Sequence, residues 1–386
     1  MAIVLFDSTN RNIYNPFTLT RAIADLKVGM LSFKERWEII SKAHNFVHTD
    51  AYLQPLYETI STAEHIWINA SIFATESLWE QIENLKLNEC IEDEYGCIAI
   101  RLHIDANQFN EESINNWITK STKISNVQRL HLPHEMIALN ATIASTDFKL
   151  VTQKKQSQPI ANTNQVPQQA NIFIEEGAQV NYAFLNATSG PIYIAKNAVI
   201  QEGTFIRGPF YLGENSLVKM GAKIYGSYIG NNCVVGGEIK NIIMLGNSNK
   251  AHDGYLGDSI IGEWCNFGAG TSNSNVKNTA SIVKIWNEGL HKMVDASQKC
   301  GVLMGDYTRT AINSSINTGS YIGVCCNVFG NGLLNKKIAN FSWGSHDMYE
   351  LEKAIHDIKN WKQMKHQTLS EKEESVIRFL FPFKIF

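Results

Sequence analysis

The chain has 386 residues, 44% of them hydrophobic and 18% charged, with a formal net charge of −3. Such a composition describes a folded globular protein with room for two domains and excludes a disordered chain. The near balance of 34 Lys and Arg against 37 Asp and Glu gives no electrostatic case for nucleic acid or an anionic membrane as partner.

The opening "MAIVLFDSTNRN" has a short apolar run without a basic leader or a small-residue cleavage site, and is expected to be a first β-strand. No apolar run approaches the roughly 20 residues that span a bilayer. Seven cysteines without a CxxC pair argue against a zinc cluster or a disulfide framework, so free thiols in a reducing cytoplasm are expected. Residues 1–152 alternate β-like runs ("AIVLFD", "HIWINASIF", "CIAIRLHI") with helical stretches ("SFKERWEIISKAH", "TESLWEQIENLKL"), which predicts an α/β domain. Residues 153–170, "QKKQSQPIANTNQVPQQA", are poor in apolar residues and are expected to be an exposed linker.

From 171 to 345 the pattern changes. Ile194, Ile200, Ile206, Leu212, Val218 and Ile224 recur every six residues, a step that fits neither a helix nor a single strand. Six is the step of the hexapeptide left-handed parallel β-helix, in which one aliphatic per hexad points inward and stacks on its copies. Apolar–Gly pairs such as Leu212-Gly213, Ile229-Gly230, Ile261-Gly262 and Ile322-Gly323 are expected at tight corners that a Cβ would obstruct. Residues 346–386 read as a charged helical tail ending in the apolar "FLFPFKIF", to be buried on its own chain or on a neighbouring subunit. A hexapeptide prism exposes flat sides, so a homotrimer is expected.

Within the solenoid, "NKAHDGYLGD", "SIIGEWCNFGAGT" and "SNSN" follow one another over residues 249–275. This order resembles the acetyltransferase half of the bacterial GlmU family. Those proteins join an N-acetylglucosamine-1-phosphate uridyltransferase to a glucosamine-1-phosphate N-acetyltransferase and supply the peptidoglycan precursor UDP-N-acetylglucosamine. The likeness is sharpest over residues 229–275 and points to a divergent branch. It implies acetyl-CoA as cosubstrate, an amino-sugar 1-phosphate as acceptor, and no nucleic acid or membrane partner. His252, six residues before Asp258, takes the place of the general base; Asp253 or a backbone carbonyl would fix its tautomer. Ala269 takes the place of the oxyanion donor beside the thioester, and Asn266 joins the catalytic set. Tyr255 and Asn275 match substrate contacts, and Gly323 a later acetyl-CoA contact. Lys240 and Lys219 are the implied phosphate ligands. Arg207 is an unaligned alternative, and Lys277 stands in for a family lysine replaced by Ser281.

The front domain departs from that family. No Gly-rich phosphate loop is present, and in "INASIF" the residues Asn69, Ala70 and Ser71 stand where the family's N-G-D turn places a metal aspartate. The domain is read as a truncated Rossmann-like nucleotidyltransferase, either inactive or using Asp7 or Asp25 for Mg²⁺, with Arg21 and Lys27 toward UTP. Its metal ligands are not assigned by the sequence. Two rivals remain open: a non-catalytic scaffold, and an acyltransferase for a different nucleotide-linked amino sugar.

Overall fold

The computed structural model describes residues 2–345 and 347–381. The front domain is built on a six-stranded mixed sheet. Strand β1 (Ile3–Phe6) pairs in parallel with β2 (Asn45–His48) and β3 (Ala63–Asn69). Strands β4 (Glu89–Asp93) and β5 (Gly96–Ile104) continue the sheet antiparallel, and β6 (Lys120–Lys123) closes the far edge beside β4. All four residues of β1 are buried, as a central parallel strand covered on both sides requires. Helices α1 (Phe33–Ser41), α2 (Glu76–Ile82) and α3 (Glu135–Thr152) pack against it. Helix α1 begins at Ser32, whose side chain and Glu35 form a reciprocal capping box. The α/β front domain expected from the sequence is present.

The second domain is the left-handed, hexapeptide-type parallel β-helix. Val199 pairs with Leu217, one coil of three hexads later. Successive hexad aliphatics fall on three different sheets in turn: Ile194 and Leu212 on one, Ile200 and Val218 on the next, Ile206 and Ile224 on the third. All six are buried in one core. The glycine corners have a specific cause. A Cβ on Gly213 would lie 2.5 Å from the carbonyl carbon of Gly230, so stacked corners touch through their backbones. Left-handed backbone at the neighbouring corner places falls instead on asparagines, including Asn197, Asn215, Asn232 and Asn247.

Two features were not anticipated. The chain leaves the coil after Asn275 and forms an antiparallel hairpin, Lys284–Asn287 with Lys292–Asp295. Asn287 Nδ2 donates to Ile13 O at 2.9 Å, and Val283 and Ile285 join the front-domain core. Residues 153–170, read from sequence as an exposed linker, lie along the first coil. Asn164 Nδ2 donates to Val180 O at 2.8 Å, and Gln165 N–H donates to Ala183 O at 2.9 Å.

The prism has three outer faces, and two are covered. The front domain packs on one, burying Tyr228, Ile243, Ile260 and Leu303 with its own core. The tail helices α4 (Leu351–Met364) and α5 (Glu371–Leu380) pack on the second, against Trp264, Tyr307, Cys325 and Phe341. The tail also reaches the front domain, where Phe379 stacks on Tyr52 at 4.2 Å. The tail helices thus pack on their own chain; residues 382–386 of "FLFPFKIF" lie outside the described residues. Among the described residues no helix is long and apolar enough to cross a membrane.

The two domains are joined by a buried ion pair. Arg21 Nη2 lies 2.6 Å from Asp306 Oδ2, with Nη1 3.2 Å from Oδ1, and the Thr20 hydroxyl donates to the same carboxylate at 2.8 Å. Removing one partner of such a pair strands a charge away from water. Asp306→Ala is therefore expected to lower stability in denaturant unfolding by about 3–5 kcal/mol. Arg21→Met combined with Asp306→Leu is expected to recover part of that loss.

Candidate active site

His252 sits on the turn between Asn249–Lys250 of the tail-covered sheet and Tyr255–Gly257 of the third sheet. Gly236 and Gly237 make the same turn one coil earlier. A Cβ on Gly236 would lie 2.6 Å from Ala251 O, and one on Gly237, where φ is +71°, 2.9 Å from His252 O. Two glycines therefore let the histidine turn rest directly on the turn before it. Ala269 lies on the same corner one coil later, where Gly270 N–H donates to Asp253 O at 3.1 Å. Lys219, half-buried, stands on that corner on the other side of Gly236.

His252 is exposed, and among the described residues its ring makes no hydrogen bond. Neither Asp253 nor a carbonyl fixes its tautomer. The Ala269 N–H is likewise without an acceptor among the described residues, although its carbonyl accepts from Asn313 N–H at 2.7 Å. An open imidazole and an open amide donor thus stand on successive turns of one edge.

The third sheet carries the polar residues expected around them. Its outward positions line up in register, with Arg207 beside Tyr225, Tyr225 beside Lys240, and Lys240 beside Gly257. Arg207, Lys223 and Tyr225 border a shallow cavity of about 340 Å³ on this face. Tyr255 folds over Gly257, where a Cβ would lie 2.2 Å from the phenol oxygen. Asn275 Nδ2 donates to that oxygen at 3.0 Å and to Asp258 Oδ2 at 2.5 Å, while Asn241 Nδ2 donates to Asp258 Oδ1 at 2.7 Å. Burial, helped by the nearby Asp258 and Glu238 carboxylates, pushes the Tyr255 phenol up to about 12, so it stays protonated at neutral pH.

Other expected site residues lie elsewhere. Asn266 points outward on the tail-covered sheet beside Asn249, whose side-chain oxygen accepts from Lys365 of the tail at 2.9 Å. Gly323 is on a different corner, where its N–H donates to Ile338 O and its carbonyl accepts from the Thr308 hydroxyl. Lys277 donates to Ile282 O at the start of the hairpin. Arg21 is held by Asp306, and Lys27 by Glu35 at 2.5 Å; both border an acidic cavity of about 550 Å³ between the domains.

The front-domain residues do not fit Mg²⁺. Asp7 is buried and accepts from Arg11 Nε (2.9 Å), the Thr49 hydroxyl (2.6 Å) and Ile23 N–H (2.8 Å). Asp25 accepts from the Tyr57 hydroxyl at 2.6 Å. Asn69 Oδ1 accepts from the Ser71 N–H and hydroxyl, closing its own turn. Among the described residues no group of three or more His, Cys, Asp or Glu could hold a metal.

Sequence reasoning missed Asn241, which has no motif, and Lys250, which is buried inside the prism. The latter was legible, because Met244, Lys250 and Leu256 continue the six-residue step. The Asp258 cluster generates a test. Asn275→Ala leaves the buried carboxylate with the Asn241 amide alone, and is expected to lower stability by about 1–3 kcal/mol in thermal or denaturant unfolding.

Residues 3–156 match the family described as sugar nucleotidyl transferase. The chain is 35% identical to the "Bifunctional protein GlmU" of Methanocaldococcus jannaschii over 112 residues, 29% of this chain and 26% of that one. It is 32% identical over 101 residues to the "Bifunctional sugar-1-phosphate nucleotidylyltransferase/acetyltransferase" of Sulfurisphaera tokodaii, 26% of this chain and 25% of that one. Over 190 residues it is 30% identical to the GlmU protein of Methanococcus vannielii, 47% of this chain and 39% of that one. Each match spans well under half of the relative. Among solved structures, the Arabidopsis UDP-N-acetylglucosamine acyltransferase aligns with 58% of this chain and 90% of its own, at 16% identity and a TM-score of 0.31, too low to carry an argument. Residues 3–156 thus form a front domain of the sugar nucleotidyl transferase type, and parts of the chain are similar to GlmU proteins, of which it spans well under half.

Proposed function

We propose that the solenoid is an acetyl-CoA-dependent N-acetyltransferase acting on an amino-sugar 1-phosphate, glucosamine-1-phosphate in the first instance. The observation that carries this reading is the pair of unsatisfied groups on one edge, the exposed His252 ring and the unpaired Ala269 N–H. The substrate amine attacks the thioester carbonyl carbon and the C–N bond forms. His252 takes the ammonium proton, and Ala269 N–H stabilises the oxyanion. Collapse breaks the C–S bond, and the leaving thiolate takes the proton back from the imidazolium. Tyr255 and Asn275 offer a neutral phenol and an amide to sugar hydroxyls. Arg207, Lys240 and Lys219 supply cations for the 1-phosphate, without the bidentate geometry that a second arginine would add.

The uncovered third face supports a homotrimer with acetyl-CoA bound between prisms. Large apolar side chains stand exposed along this face and its corners: Tyr182, Phe205, Met220, Ile312 and Leu333. Gly323 and Asn266, which the chain's own parts cover, have no ligand role in this reading. The front domain is assigned a structural role, because Asp7 and Arg21 are already satisfied within the fold. The product would serve UDP-N-acetylglucosamine synthesis in the cytoplasm.

Purified protein given glucosamine-1-phosphate, acetyl-CoA, UTP and Mg²⁺ is expected to release CoA without pyrophosphate; pyrophosphate release would overturn the structural role of the front domain. His252→Ala is expected to slow acetyl transfer by roughly 10²–10⁴-fold without loss of fold. Full retained transfer would overturn the assignment. A non-catalytic scaffold predicts instead no acetyl-CoA binding at millimolar ligand. Phe205→Glu is expected to shift sedimentation from trimer toward monomer and to reduce turnover with it.

A further inference from the structure

We infer that Lys250 is a positioning residue for the turn that carries His252. Resting on the reading of His252 as the general base, it assigns the buried cation that the mechanism does not use.

The inward column of this sheet runs Ile200, Val218 and Val235 before Lys250 and Phe267, Thr310 and Val328 after it, so the neighbours on either side of Lys250 are apolar. Lys250 pairs in register with Val235, and its side chain enters the prism core, where it is 2% exposed. No carboxylate forms an ion pair with it among the described residues; Asp253 attracts it from a distance. An aliphatic side chain would fill this place without the desolvation that an ammonium suffers. Burial draws the amine down from the usual lysine range to about 8. A lysine here therefore costs stability, and its contacts show what it does in return.

The Lys250 amine donates to two carbonyls, Gly236 O at 3.2 Å and His252 O. These belong to successive turns of the same corner, so one side chain fastens the histidine turn to the turn before it. No other donor among the described residues reaches His252 O. The remaining holds on this turn are Gly270 N–H on Asp253 O and Glu238 N–H on Gly254 O, both after the histidine. The orientation of the peptide that follows His252, and with it the direction of the imidazole, is thus set from inside the prism by Lys250.

The test uses the full-length protein and Lys250→Met, with Lys250→Leu as a second apolar variant. Both are expected to keep the fold and a Tm equal to or above that of the parent, because a buried cation is removed. They are expected to lower kcat for acetyl transfer by about ten- to a hundredfold, with KM for acetyl-CoA unchanged, as a misplaced base would. Parent-like kcat in the folded variants overturns the proposal. So does a loss of Tm or of fold in both, which would assign Lys250 to structure alone. His252→Ala separates the two claims. If it is inactive while Lys250→Met is fully active, only the positioning role falls. If it keeps full activity, the reading of His252 falls first.

Discussion

A stack of three-strand coils solves its interior with one aliphatic per hexad, but leaves three flat outer faces that the coil cannot cover by itself. That geometric remainder organises the molecule. One face takes the front domain through Tyr228, Ile243 and Ile260, and one takes the tail helices through Trp264 and Tyr307. Among the described residues the third sheet, with Arg207, Lys240 and Tyr255 on its outside, stays open. His252 and Ala269 lie on an edge of that open face. The site's location follows from which faces the appended parts occupy.

In the front domain the charged groups expected at a ligand are held by bonds within the chain. At the end of β1, Asp7 is closed over by Arg11, Thr49 and a backbone N–H. Arg11 in turn donates to the carbonyls of Thr18 and Arg21, fixing the loop from which Arg21 reaches Asp306. The solenoid answers with a hairpin that donates to Ile13 O from Asn287. Family resemblance alone would send Arg21 toward a nucleotide; the ion pair gives it a carboxylate in the other domain. A charged group held in a bonded, water-poor pair is a weak candidate for a ligand contact, since binding would have to break the pair first.

Legibility from sequence divides along local and non-local lines. The hexad step from Ile194 to Ile224 was readable because each coil repeats the same local geometry, and the corner bearing His252 was readable because its neighbours in sequence are its neighbours in space. The hairpin at Lys284–Asn287 was hidden, since an excursion from a repeat carries no period of its own. So was the Arg21–Asp306 pair, whose partners lie far apart in the chain. Residues 153–170 looked like a linker by composition, yet Asn164 and Gln165 make the hydrogen bonds of a partial first coil. Polar side chains can cap a solenoid because its end presents unpaired strand groups, and amides satisfy those.

Nearly all buried backbone donors in a folded protein find acceptors, so the places where bonding lapses are informative. Along this corner the turns satisfy one another coil by coil: Gly270 N–H on Asp253 O, Asn313 N–H on Ala269 O, the Lys250 amine on His252 O. On this corner the Ala269 N–H, like the N–H groups of Gly237, His252 and Asp253, has no acceptor among the described residues, and the unbonded His252 ring stands one coil before it. A scaffold has no use for either, since an assembly edge gains from paired amides and a buried or bonded ring. An acyl-transfer site needs both, one donor for a charge that develops and one base for a proton that leaves. The buried lysine beneath sharpens the contrast, because it gives up packing in the core to hold the carbonyl of this one turn.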